Sequence, residues 1–321
     1  MRPESYAAMS DTGPLFVSSG DLLADRRYNA AIELATRGDF PAAADILVQT
    51  VELAPKFATA WFALGAIRDR LGDRDGAVAA FAQASAADPA DYHGARLQLA
   101  RLGSGAATPA MTETYVRRLF DQYAARYDTA LTEHLSYRGP AILRDAIQAA
   151  MRAVGRPLHF ASMLDLGCGT GLGGAVFRPF VDLLVGIDLS PAMAAQAASK
   201  GLYDRLVTAD LSSFLAEEIA AAAQYHLVIA ADVFVYVNDI ALTIAAIARV
   251  LSSQGLLAFT VETHSDDGVK LLPTLRYAYA EAYLRGTIAN AGLTLLNLSA
   301  AAIRTEKGVP VDGLVVVATA A

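Results

Sequence analysis

Asp165-Leu-Gly-Cys-Gly-Thr-Gly-Leu-Gly-Gly174 is a glycine-rich turn that follows the apolar run Phe160-Ala-Ser-Met-Leu164 and opens a helix. Four more acids close apolar runs in the same way. Asp188 follows Leu183-Leu-Val-Gly-Ile187, Asp210 follows Leu206-Val-Thr-Ala209, Asp232 follows Leu227-Val-Ile-Ala-Ala231, and Glu262 follows Leu256-Leu-Ala-Phe-Thr-Val261. Successive acids lie 23, 22, 22 and 30 residues apart. A strand, a helix and two short loops fill about that length. In a parallel α/β sheet the strands end on one edge, and ligands bind outside that carboxyl edge. The pattern therefore predicts a row of carboxylates along one crevice.

Working outward, the periodicity predicts strands near 160–166, 183–188, 203–208, 226–231, 255–261, 294–299 and 312–319. Helices are predicted near 171–179, 191–199, 212–222, 239–251 and 275–291. Two more, 112–130 and 140–154, precede the first strand. Thr112 followed by Tyr115, Val116, Leu119, Phe120 and Tyr123 gives helical spacing behind a cap.

The N-terminal third has a different logic. Aligned with itself, it shows a 34-residue offset: Gly38 matches Gly72, Asp39 matches Asp73, Ala43 matches Ala77 and Pro55 matches Pro89. Small residues (Gly65, Ala77, Ala84) let paired helices approach, and Trp61, Leu64 and Phe81 fill the space between them. Pro89 cannot continue a helix. Residues 24–91 resemble two tetratricopeptide (TPR) units, with 92–102 as a closing helix. The predicted domains are a loose leader over 1–20, TPR-like repeats over 21–102, a small-residue linker over 103–111 and an α/β domain over 112–321.

Composition narrows the function. The chain has 321 residues, room for about two domains, and is 54% hydrophobic and 18% charged. A net charge of −7 without a Lys/Arg cluster argues against gripping nucleic-acid phosphates. One cysteine, Cys168, forms no intrachain disulfide and points to no metal site. No apolar run reaches the roughly 18 residues that span a bilayer. The first 20 residues lack the pattern of a secretory signal. The expected location is cytoplasmic, with neither membrane nor nucleic acid as a partner.

Gly169-Thr-Gly171-Leu-Gly-Gly174 also fits G-x-G-x-x-G, which suggests a dinucleotide site. Asp165 argues against that, because it sets a carboxylate where a pyrophosphate belongs, and the turn has no basic residue. A cationic methionine-like group suits the turn better, its ammonium at Asp165 and its carboxylate at the helix N-terminus opened by Thr170–Leu172. Asp188, 19 residues after Gly169, stands where a carboxylate accepts from both ribose hydroxyls. Asp210 stands where an adenine edge would lie.

Four signatures occur in order: Leu164-Asp-Leu-Gly-Cys-Gly-Thr-Gly171, Val185-Gly-Ile-Asp-Leu-Ser-Pro-Ala-Met193, Ala209-Asp-Leu211 and Tyr225-His-Leu-Val-Ile-Ala-Ala-Asp-Val-Phe-Val-Tyr236. Over about 112–320 the chain resembles class I S-adenosylmethionine-dependent methyltransferases. More narrowly, it resembles predicted bacterial methyltransferases with an N-terminal TPR segment, whose hallmark is a helix like Phe120-Asp-Gln-Tyr-Ala-Ala-Arg-Tyr-Asp128. His226 departs from the family's usual Asp. The resemblance implies a Rossmann-like sheet and S-adenosylmethionine as cofactor. It implies that Gly167, Gly169, Asp188, Asp210 and Leu211 hold that cofactor, and that Tyr123, Tyr127 and Asp232–Tyr236 border the methyl group. Asp165, Cys168, Leu189, Ala231, Tyr123 and Tyr127 are further candidates for cofactor binding. Tyr127, His134 and Tyr236 are the catalytic candidates.

Plainer readings stand beside these. Asp165 and Asp210 are also suited to cap helices. Asp188 and Asp232 are also suited to turns. Tyr123 and Tyr127, four apart on one helix face, are also suited to core packing. His134 also reads as a solvated loop histidine, and Cys168 as a small filler. The helices at 112–130 and 138–154 are expected to roof the pocket. An insertion at 262–283, with Arg276, Tyr277, Tyr279 and Tyr283, is expected to wall the acceptor side. That lining favours a small organic acceptor. The alternatives are a protein, peptide or carrier-bound acceptor recruited by the repeats, a nicotinamide oxidoreductase, and a non-catalytic binding module on the same fold.

Overall fold

The computed structural model describes residues 16–105, 111–129, 137–306 and 308–321. It divides into two units, residues 1–115 and 116–321. The expected leader and linker lie largely outside the described residues.

The first unit is helical: α1 (Leu22–Thr36), α2 (Phe40–Leu53), α3 (Ala58–Leu71), α4 (Arg74–Ala87) and α5 (Ala95–Arg101). The 34-residue offset has a structural meaning. Gly38-Asp39 and Gly72-Asp73 each end one helix and start the next. Asp39 Oδ1 accepts the Ala42 N–H at 3.2 Å, and Asp73 Oδ1 accepts the Gly76 N–H at 3.0 Å. Such caps satisfy backbone donors that the first helical turn leaves open. Leu47, Leu64 and Phe57 are buried among alanines, and Phe81 packs with Ala77 and Leu102. Trp61 is only half-buried and donates its indole N–H to the Pro55 carbonyl at 2.9 Å. The closing helix is shorter than predicted. Asp91 and Gly94 take positive φ, and the Asp91 carboxylate caps the Ala95 N–H at 2.7 Å, so α5 starts at Ala95.

In the second unit the predicted helix at 112–130 is broken. α6 (Glu113–Tyr123) ends in a turn over 124–126, and α7 (Tyr127–Thr129) is a single turn. Tyr123 and Tyr127 therefore do not share a continuous helix face. Next comes α8 (Gly139–Ala153), whose Leu143, Ile147 and Met151 are spaced by four and wholly buried. This stripe packs on Phe160, Met163, Leu184, Leu227, Val315 and Val317. α8 therefore covers a face of the sheet, and correcting the expectation, it does not roof the carboxyl edge.

Among the described residues nine strands follow: β1 (Phe160–Leu166), β2 (Val181–Asp188), β3 (Arg205–Thr208), β4 (Tyr225–Ala230), β5 (Leu251–Thr263), β6 (Val269–Leu271), β7 (Tyr277–Tyr279), β8 (Thr294–Glu306) and β9 (Val309–Thr319). The helices between and after them are α9 (Leu172–Phe177), α10 (Pro191–Ser199), α11 (Leu211–Ala220), α12 (Ala241–Val250) and α13 (Glu281–Asn290). β3, β2, β1, β4 and β5 are parallel neighbours in that order. β9 runs antiparallel to β5, and β8 antiparallel to β9. Order reverses between β1 and β4, and the crevice beyond that switch is where such sheets bind ligands. The predicted helix at 275–291 is corrected too. Its first part is β7, which pairs with the tip of β5 and makes a hairpin with β6.

Gly65 shows how tightly the helical unit is packed. A Cβ there would lie 2.7 Å from Phe81 Cδ1 in a ring that is 1% exposed. Gly65→Ala is expected to destabilise this unit by about 1–3 kcal/mol, as overpacking does. Urea denaturation followed by circular dichroism measures this.

Candidate functional site

The turn after β1 runs through Gly167, Gly169 and Gly171 at φ of 61°, 55° and 92°. L side chains rarely adopt these angles, which is why glycine recurs here. A Cβ on Gly167 would also lie 2.6 Å from Val233 Cγ2. The Cys168 N–H donates to the Ile187 carbonyl at 2.8 Å, tying the turn to the end of β2. Cys168 is buried, and burial pushes its thiol pKa up, so it stays a neutral filler.

Asp188 closes β2 and is 8% exposed. Its Oδ2 accepts the Gly169 N–H at 2.8 Å, and its Oδ1 accepts the Ser190 N–H at 2.8 Å. Burial pushes this carboxyl up, and the Ser190 and Gly169 amides pull it back, leaving it above its ordinary range. One carboxylate thus bridges the two loops beside the crevice. Each of its oxygens retains acceptor capacity.

Asp165 is held differently. It is 2% exposed, and its Oδ2 accepts the Tyr203 Oη–H at 2.6 Å, while Tyr203 Oη accepts the Gly174 N–H at 3.0 Å. Burial pushes its pKa up to about 7, against the Tyr203 hydrogen bond. One oxygen of Asp165 is thus already committed to Tyr203, a partner with no counterpart in the sequence motif. Asp210 occupies the N-cap of α11, its Oδ1 accepting the Ser213 N–H at 2.9 Å, and that bond pulls its pKa down. Leu189 and Ala231, just past β2 and β4, and Leu211, which opens α11, are partly exposed.

Tyr123 is 5% exposed at the end of α6. Tyr127 is half-buried over the glycine turn, its Cε1 3.8 Å from where a Gly169 Cβ would stand. The Phe120 ring packs edge-on against Tyr127 at 6.0 Å and Tyr236 at 5.1 Å. Tyr236 lies in the 3-10 turn Phe234–Tyr236 that follows β4. The hydroxyls of Tyr127, Tyr137 and Tyr236 make no hydrogen bond among the described residues, and each ring is partly exposed. Burial pushes all three pKa values up, that of Tyr236 to about 12. They are hydrogen-bond donors at neutral pH, not bases. His134 lies outside the described residues.

Four buried charged side chains, Asp232, Glu262, Arg276 and Arg304, meet at the ends of β4 and β5. Asp232 sits at φ 60° after β4, where its N–H donates to Thr260 Oγ1 at 2.9 Å. Arg276 Nη1 lies 3.1 Å from Asp232 Oδ2 and 3.5 Å from Glu262 Oε1. Arg304 Nη1 lies 3.4 Å from Asp232 Oδ1, and its Nη2 lies 2.5 Å from Glu262 Oε1. The Arg276 guanidinium also stands 5.3 Å from the Tyr236 ring centroid. Arg276 therefore reaches the site, whereas Tyr277 and Tyr279 are core. Tyr279 is wholly buried and donates to the Phe234 carbonyl at 2.7 Å, which fixes the turn that carries Tyr236. Tyr283 donates to Asp239 at 2.6 Å. Sequence reasoning missed Arg304 and Tyr203. Nothing local marks either one, since their partners lie 42 or 72 and 38 residues away.

Residues 164–259 match the family model of a methyltransferase domain. Methyltransferase-like protein 27 of Homo sapiens is 41% identical over 85 residues, 26% of this chain and 33% of that protein. The match thus spans one third of the length of that curated relative. Magnesium protoporphyrin IX methyltransferase from Synechocystis PCC 6803, solved with bound S-adenosylhomocysteine, superposes with a TM-score of 0.50 at 18% identity, over 65% of this chain and all of that one. 1,6-Didemethyltoxoflavin-N1-methyltransferase from Burkholderia thailandensis, solved with its namesake compound and S-adenosylhomocysteine, gives 0.50 at 20% identity, over 67% and 91%. At these identities the two structures show a shared fold. Over residues 164–259 the chain carries a methyltransferase domain.

Two outcomes test this electrostatic description. Asp165 titrates near 7 in the fold against its ordinary 3.8, so the native state binds the proton more tightly than the unfolded chain. Its contribution to stability is full below pH 3.8 and is lost as pH rises through about 7. Asp165→Asn should gain on the unaltered chain by a few kcal/mol between pH 4 and pH 7.5. Urea denaturation over that range reads it, and parallel pH profiles would contradict it. Arg304→Met should cost about 3–5 kcal/mol, because it leaves two buried carboxylates with one guanidinium. Thermal and urea unfolding read that loss.

Proposed function

We propose that this chain transfers the methyl group of S-adenosylmethionine to a small organic acceptor bound at the carboxyl edge of β4 and β5. The observation that carries this reading is the Asp188 carboxylate, fixed by the Gly169 and Ser190 amides beside a turn in which Gly167, Gly169 and Gly171 carry no side chain. That arrangement fits an adenosyl cofactor. The acid is oriented and keeps lone pairs for two ribose hydroxyls, and the three glycines let a ligand approach the backbone closely. S-adenosylmethionine, when bound, supplies an electrophilic methyl group on a sulfonium.

In this reading Gly167, Cys168, Gly169, Asp188, Leu189, Asp210, Leu211 and Ala231 hold the cofactor, and Asp165 and Tyr127 border its amino-acid end. Tyr236 and Tyr137 orient the acceptor through their unengaged hydroxyls. The rings of Phe120, Tyr127 and Tyr236 exclude water. Most of the rate then comes from positioning, an effect worth about 7–11 kcal/mol. The phenols remain protonated at neutral pH, so they steer the nucleophile and do not deprotonate it. We read residues 24–91 as two TPR units within a 21–102 domain, joined by 103–111 to a methyltransferase domain over 112–321. If that block recruits the acceptor, the acceptor is a peptide or a carrier-bound group. The repeated Gly-Asp helix junctions, 34 residues apart, are what favour this second reading.

Asp188→Ala should weaken S-adenosylmethionine and S-adenosylhomocysteine binding tenfold or more, since each charge-assisted hydrogen bond contributes about 1.5–3 kcal/mol. Isothermal calorimetry reads the affinity, and circular dichroism checks the fold. Unchanged affinity would remove the ribose assignment.

A further inference from the structure

Asp121 and Asp128 are given no role by the reading above, yet both reach out of the α6–α7 segment to the cofactor loops. Asp121 Oδ1 accepts the Ser190 Oγ–H at 2.5 Å and the Ala192 N–H at 3.4 Å, at the N-terminus of α10. Asp128 Oδ2 lies 2.6 Å from Lys200 Nζ, at the other end of α10. Asp128 Oδ1 also accepts the hydroxyl of Thr170, a buried residue within the glycine turn. Two carboxylates thus clasp both ends of α10 and the turn after β1.

The broken helix has a purpose in this light. In one straight helix, residues seven apart sit about 10 Å from each other on one face. The turn over 124–126 lets Asp121 and Asp128 meet different loops, and it lays Tyr127 over Gly169. Ser190 is the shared node. Its amide holds Asp188, its hydroxyl donates to Asp121, and its Oγ accepts the Met193 N–H at 3.1 Å. Pulling on Ser190 therefore pulls on the carboxylate assigned to the ribose.

We propose that Asp121 and Asp128 are positioning residues that latch residues 116–129 over the cofactor and set how long the cofactor stays. The proposal rests on the cofactor reading of Asp188. Lys200 and Thr170 act as the strikes of the second latch. A latch closed over the bound cofactor must open before the cofactor leaves, so weakening it speeds departure.

The test is surface plasmon resonance of S-adenosylhomocysteine over the immobilised full chain, with Asp121→Asn, Asp128→Asn and Lys200→Met compared. Each Asn variant should raise koff about tenfold, the worth of one charged hydrogen bond. Lys200→Met should raise it less, because that ion pair is partly exposed. It also keeps the test open should an Asn variant fail to fold. Hydrogen exchange should quicken over 116–129 in each variant. Wild-type koff and exchange in every folded variant would overturn the latch while leaving the cofactor assignment intact. Failure of the unaltered chain to bind S-adenosylhomocysteine would overturn the cofactor reading, and the latch with it.

Discussion

The Asp188 carboxylate, held between the amides of Gly169 and Ser190, is the contact on which the site depends. It joins the loop after β1 to the loop after β2, two segments that parallel strands bring to one edge but do not themselves connect. Both amides are donors that a turn or helix start would otherwise leave to water. By taking both, one acid fixes the glycine turn, orients the start of α10 and stays aimed at the crevice. The cost is burial of a charge, visible in the raised pKa of Asp188.

The opposite half of the crevice is built on charge compensation. Asp232 and Glu262 end β4 and β5, and Arg276 and Arg304 come to meet them from β7's approach and from β8. Replacing such a cluster by apolar residues is often neutral for stability, whereas breaking it is costly. Its value here is geometric. It holds Arg276 against the Tyr236 ring, and Tyr236 meets the Phe120 ring of α6. The charge cluster and α6 are linked through one tyrosine.

The sequence made legible whatever is encoded within about ten residues. The glycine turn declares its backbone angles, and an acid after an apolar run declares a strand end. Gly72-Asp73 declares a helix stop and a cap. The parallel order could be anticipated because evenly spaced strand-helix units admit few arrangements. Three things were not legible. The break after Tyr123 carries no glycine or proline, and the partners of Asp121 and Asp128, which flank it, lie 69 and 42 residues away. β6 and β7 are three residues each, too short to show a period of two. The roof assigned to α8 failed because amphipathicity tells that a helix is covered on one side, not which surface covers it.

The proposed occupant of the edge of β1 and β2 is S-adenosylmethionine and not a dinucleotide. Crystals grown with S-adenosylhomocysteine test it most directly. Both ribose hydroxyls should lie on Asp188 and the amino-acid end beside Gly169 and Tyr127. A ligand bound elsewhere, or a pyrophosphate group seated on the same turn in crystals grown with NAD, would contradict it.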